Sequence, residues 1–219
     1  MHFMSIEVAA QQFLFIPADS TDNSSDLDEF RRARKREKEM AETDVPFFHN
    51  HLHDLESLWW VTVWVVFYRS FSDGTAPRSR LTLEDAKDQL DLAEKLFPPV
   101  SNSTARRDSF QIAKLFRETC NKLPHDKEEA CFGLDFLRHQ LIKHYMAIEA
   151  NYPLINQIAS TDDIYDDFIR TFKDMKSRYH GFALESIQET FAELLKPEGK
   201  RPRSESTNDT GAAQKNPRK

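Results

Sequence analysis

The stretch that most restricts what this chain can fold into is Leu58-Trp59-Trp60-Val61-Thr62-Val63-Trp64-Val65-Val66-Phe67-Tyr68, in which nearly every residue is apolar or aromatic. A helix of this kind offers no face to water and belongs in the middle of a core. It falls well short of the roughly 20 residues needed to cross a bilayer, and Asp54, Glu56 and Arg69 bracket it closely. Val61 to Phe67 also fits a doubly buried strand by composition. Helix is favoured because Asp54 suits an N-cap, Glu56 puts a negative charge in the first turn, and Ser72-Asp73-Gly74 supplies a stop. The sequence therefore predicts a hub helix from about Asp54 to about Phe71.

The rest of the chain is read against that hub. Its 219 residues, 39% of them hydrophobic and 17 of them Phe, suffice for one sizeable core. Thr82-Leu83-Glu84-Asp85 opens a helix with Leu83, Ala86, Leu90, Ala93 and Phe97 at helical spacing, closed by Pro98-Pro99. A second helix starts near Ser103 and carries Ile112, Leu115, Phe116 and Thr119. Asp126 and Glu129 lead into a long stripe of Leu134, Leu137, Leu141, Tyr145 and Ile148, ended by Asn151-Tyr152-Pro153. A last stretch from Thr161 places Ile164, Phe168, Phe172 and Met175 on one face, and Gly181 divides it from Phe182, Ile187, Phe191 and Leu195. No strand signal recurs. The expected fold is all-α: four or five amphipathic helices packed on the hub within residues 1–195, with a charged insert or loop at 18–45 and a disordered basic tail at 196–219.

Charge and cysteine usage narrow the setting. A net charge of −6 gives no reason to expect nucleic acid or an anionic membrane as the main partner, although a protein partner is compatible with it. Arg31-Arg32-Ala33-Arg34-Lys35-Arg36 and Lys200-Arg201-Pro202-Arg203 read as nuclear signals or, more plainly, as solvated charge. Cys120 and Cys131, the two cysteines, lack metal-site spacing and read as reduced thiols of an intracellular protein, cytoplasmic or nuclear. His49, His51 and His53 alternate, so an extended segment would turn all three one way and, with Asp54, offer a divalent metal a site. No Cys or distant His set completes that constellation.

The stretch His53-Asp54-Leu55-Glu56-Ser57-Leu58-Trp59-Trp60 resembles the central helix of the protein kinase C-terminal lobe, and is most similar to the fungal-type protein kinase family. The resemblance implies a kinase-like C-terminal-lobe bundle. It also implies that Asp54 accepts hydrogen bonds from backbone amides of a catalytic loop, so that its role is positional. Many kinases have Gly five residues after that Asp, where Trp59 stands here. Phe3-Met4-Ser5-Ile6-Glu7 resembles the end of a kinase activation segment, whose Glu pairs with a buried Arg. For Glu7 that partner would be Arg106, Arg107 or Arg117, with no way to choose among them. Asp54, Glu7, Ser57 and Trp59 are thus expected as structural anchors.

Phosphoryl transfer needs more than a hub. The five glycines are scattered, so none forms a phosphate loop. His53-Asp54-Leu55 lacks the Arg of the catalytic H-R-D motif, and Cys131-Phe132-Gly133 lacks the carboxylate of D-F-G that would hold magnesium. The expectation is a portion of a fungal-type kinase without catalytic or cofactor-binding residues of its own, ATP and magnesium entering only in a complete enzyme. The alternative is a non-catalytic, pseudokinase-like interaction scaffold. Nucleophilic catalysis by a Ser, His and Asp set has no support, since no G-x-S-x-G elbow is present.

Overall fold

The computed structural model describes residues 3–12, 14–15, 31, 47–72, 81–98, 104–149 and 163–196. Over these the chain is helical apart from one small sheet. The helices are α1 (Ile6–Ala10), α2 (His51–Tyr68), α3 (Leu83–Leu96), α4 (Thr104–Gln111), α5 (Ala113–Cys120), α6 (Glu128–Glu149), α7 (Asp163–Arg178) and α8 (Ile187–Leu194). A single 3₁₀ turn, His125–Lys127, precedes α6. Strands β1 (Arg69–Ser72) and β2 (Ala183–Ser186) pair antiparallel, Arg69 opposite Ser186 and Ser72 opposite Ala183. The charged insert lies outside the described residues except for Arg31, and so do Asp73-Gly74, Asn151-Tyr152-Pro153 and the tail beyond Lys196. No helix among the described residues is long and apolar enough to cross a membrane.

Helix α2 is the hub, packed chiefly against α6 and α3. Trp59, Trp60, Val63 and Phe67 are fully buried along one face. Trp59 meets the rings of Trp60, Phe110 and Phe116 at 4.6, 5.2 and 5.3 Å, and its indole N–H donates to the Leu134 carbonyl of α6 at 2.8 Å. Gly133 gives α7 its close approach: a Cβ there would stand 3.0 Å from the Thr171 methyl. The Cys131-Phe132-Gly133 echo of a kinase loop therefore falls inside a helix.

Two features of the hub depart from expectation. It starts earlier, because Asn50 and not Asp54 is the N-cap: the Asn50 side chain accepts from Leu52 N–H, while the Asn50 N–H donates to His53 Nδ1. It also ends earlier, at Tyr68, where the chain turns extended into β1. The opposite face is not buried. Asp54, Leu58, Val61 and Val65 recur at helical spacing there, Leu58 being 43% and Val61 36% exposed. Replacing Asn50 by Ala is therefore expected to cost about 1 kcal/mol, whereas Asp54→Ala stays within about 0.5 kcal/mol. Urea titrations of the two variants check this, and equal losses would contradict the cap assignment.

The carbonyls released at the hub's C-terminal end are taken up by side chains. Lys127 donates from Nζ to the Val66 carbonyl at 2.8 Å and to the Arg69 carbonyl, and Gln89 donates to the Phe67 carbonyl at 2.7 Å. Burial lowers the Lys127 amine to about 8.

The remaining helices follow the sequence with local differences. Thr82 caps α3 in a capping box with Asp85, and Ala86 and Ala93 are buried while Leu83 is exposed. The helix expected from Ser103 breaks in two at Ile112, whose backbone is extended, so Ile112 and Leu115 face solvent while Phe110 and Phe116 reach the core. The α6 stripe is as predicted, with Leu134, Leu137, Leu141 and Tyr145 fully buried. Gly181, at a φ of 84°, makes the turn between α7 and β2.

Candidate functional site

The polar residues of the core gather where α1, the N-terminal half of α2 and the C-terminal end of α6 meet. Glu7, His53 and Glu56 have no exposed surface, and Glu149 has almost none. Helix periodicity explains two of them: Glu56 shares the buried face of Leu52, Trp60 and Val63, and His53 stands one turn before it.

Each carboxyl group holds one backbone N–H of the first segment. Glu56 accepts from Ile6 N–H at 2.8 Å, Glu7 accepts from Leu14 N–H at 2.5 Å, and Glu149 accepts from Phe15 N–H at 2.7 Å. Glu56 also accepts from the Trp60 indole N–H at 3.0 Å and the Tyr145 hydroxyl at 2.9 Å. His53 Nδ1 already accepts from Asn50, so its proton sits on Nε2 and is donated to Glu7 at 3.0 Å. Phe15 then stacks on Tyr145 at 4.8 Å, and Phe3 meets Trp64 edge-on at 6.1 Å. The described residues of this segment are thereby tied to α2 through Glu56, His53 and Trp64, and to α6 through Glu149 and Tyr145.

Burial dominates the protonation of the cluster. It raises Glu56 to about 7 against the opposing hydrogen bonds from Ile6, Trp60 and Tyr145 and the charge of Arg106. It likewise raises Glu7 to about 7, although a hydrogen bond to Glu149 draws that value down. Two carboxyls that share a hydrogen bond need a proton between them, so the cluster carries protons at neutral pH. His53 is pushed down to about 4 by burial and by the neighbouring His49, and is neutral.

These shifts fix a sign for stability. Glu7 and Glu56 have folded values above the ordinary 4.5, so their contribution is complete below about 4.5 and lost as pH rises through about 7. His53 acts oppositely, losing its contribution as pH falls from about 6.5 toward 4. Two groups outweigh one. The urea midpoint is expected to fall between about pH 5 and about pH 7.5, and Glu56→Gln should flatten part of that fall. A midpoint that rises over the same range would contradict the cluster's protonation.

The anchors expected from sequence are placed unevenly. Glu7 and Trp59 are buried, Glu7 bonded to His53 and Trp59 to the Leu134 carbonyl. Glu7 is held by His53 and not by the expected arginines: Arg106 donates to the Met4 carbonyl at 2.9 Å and covers the Trp60 ring, Arg117 pairs with Asp135, and Arg107 lies beside Asp108. Asp54 is exposed and lies 3.5 Å from His49; the buried carboxyl of this helix that accepts a backbone N–H is Glu56, two residues on. Ser57 donates to the His53 carbonyl within its own helix at 2.7 Å. Two of the three histidines come together: the rings of His49 and His53 lie 5.0 Å apart, His53 facing Glu7 and His49 facing Asp54, whereas His51 stacks on Tyr165. Among the described residues no group of three or more His, Cys, Asp or Glu side chains is arranged to hold a metal ion.

Glu149 and Tyr145 were not recognised from sequence as polar partners. The only available signal was an acid closing an apolar helical stripe, which equally suits a solvated helix end. Chemically, the cluster is buried and can store protons and fix backbone. Compared with protein-family models, curated proteins and solved structures, the chain matches none.

Proposed function

We propose that this chain is the C-terminal-lobe portion of a fungal-type protein kinase, serving as a helical platform that does not transfer phosphate by itself. One observation carries the reading: the Phe3 to Glu7 segment is joined to the His53 to Trp60 stretch through buried hydrogen bonds from Ile6 N–H to Glu56 and from His53 to Glu7. These are the two stretches that resemble the close of a kinase activation segment and the hub helix it rests on. The anchoring carboxylate is Glu56 in place of Asp54, which keeps the type of contact while moving it by two positions.

The test is the mass and activity of the protein recovered from its own cells. A species heavier than 25.6 kDa that phosphorylates protein Ser or Thr with magnesium and ATP is expected, together with no activity from the 219-residue chain alone. Magnesium-dependent ATP hydrolysis by the chain alone would overturn the reading. So would a native species of 25.6 kDa, which favours the second reading, a non-catalytic interaction scaffold. The exposed Leu58 and Val61 on the hub support that alternative, since apolar groups on a central helix suit a partner's surface. In the first segment Ile6 and Phe15 are buried, while Met4 is exposed.

A further inference from the structure

The chain has two cysteines in 219 residues, and the fold brings them together. Cys120 closes α5 and Cys131 lies in the first turns of α6, helices packed on each other. Both line one open cleft of about 510 Å³ bordered by Arg117, Leu123, Pro124 and Phe132, and the neighbouring Cys131 thiol pushes that of Cys120 up. Cys120 is half-buried and Cys131 is buried. Cys120 thus faces solvent-borne reagents first, with Cys131 behind it.

We propose that Cys120 and Cys131 form a reversible oxidation site that takes hydrogen peroxide as its oxidant and closes to an intramolecular disulfide across the α5–α6 cleft. The Cys120 sulfur attacks one peroxide oxygen; the O–O bond breaks, water leaves and a sulfenic acid remains. The Cys131 sulfur then attacks the Cys120 sulfur. The S–O bond breaks, the S–S bond forms, and a second water carries away the Cys131 proton. Two thiols give up two electrons and two protons, and one peroxide becomes two waters. The neighbouring thiol and burial keep Cys120 protonated at neutral pH, so the reaction is slow and accelerates in alkali. The pair rests reduced until exposure to peroxide is sustained. The remaining cysteine count is zero, so no other disulfide within one chain competes.

The experiment is peroxide treatment of the full chain, alkylation of residual thiols, and peptide mapping without reductant. The expected product is a monomer whose Cys120 and Cys131 peptides are joined and are released by a thiol reductant. Cys131→Ser should stop at a Cys120 sulfenic acid trapped by dimedone. Sulfinic or sulfonic acid on unlinked cysteines, disulfide-linked dimers, or thiols that remain alkylatable after prolonged treatment at alkaline pH would each overturn the proposal. The wild-type map alone decides it if the serine variant fails to fold.

Discussion

Replacing Glu56 by Ala lowers the unfolding free energy by about 3–5 kcal/mol, because buried donors left without an acceptor cost about 1–3 kcal/mol each. Three donors are involved: Ile6 N–H, the Trp60 indole and the Tyr145 hydroxyl. Water entering the vacated space compensates only in part. Glu56→Gln retains one acceptor oxygen and should lose about 1–2 kcal/mol. Urea unfolding near pH 5, where the carboxyl is protonated in the folded chain, separates the hydrogen-bonding loss from the charge. A Glu56→Ala loss below about 1 kcal/mol would show that this carboxyl does not hold the segment.

Replacing Trp59 by Ala should cost about 3–5 kcal/mol, through lost burial and the cavity it leaves among Trp60, Phe110 and Phe116. The Leu134 carbonyl loses the indole donor as well, although it remains within the α6 ladder. Trp59→Phe keeps most of the volume and isolates that hydrogen bond, at about 1 kcal/mol. The indole fills the space between the two helices and ties α2 to α6. The equilibrium midpoint in urea decides the matter, and a Trp59→Ala variant as stable as the wild type would remove the hub from the centre of the core.

The comparison of the two residues shows what the sequence made legible. Trp59, Trp60 and the stripe from Leu134 to Tyr145 could be placed in the core because large apolar residues at helical spacing have few other destinations. The phase of α2 was hidden. Its outward face carries Leu58, Val61 and Val65, so composition hardly distinguishes inside from outside, and the sequence made Asp54 the N-cap and Glu56 only a first-turn acid. Their helical positions separate them: Glu56 lies with Leu52 and Trp60, Asp54 with Leu58 and Val61.

Long-range pairing hid the rest. Arg69-Ser70-Phe71-Ser72 has little strand character of its own and becomes β1 through residues 183–186, more than a hundred positions away. Glu7 was expected to meet an arginine, yet the fold supplies His53, 46 positions on, and Glu149 from the end of α6. Such partners depend on where helices cross. The break at Ile112 likewise has no Pro or Gly to announce it; Phe110 and Phe116 are both drawn into the core, and the chain between them turns outward.

Native-state hydrogen exchange at the Ile6, Leu14 and Phe15 amides tests the central claim most directly. These three N–H groups are held by Glu56, Glu7 and Glu149 in turn. They should exchange slowly, approaching the protection of the α2 amides, and Glu56→Gln should speed exchange at Ile6 before it does so in α2. Exchange of all three at the rate of an unstructured peptide would mean that the first segment is not fixed on the hub, and the carboxyl cluster would lose its role.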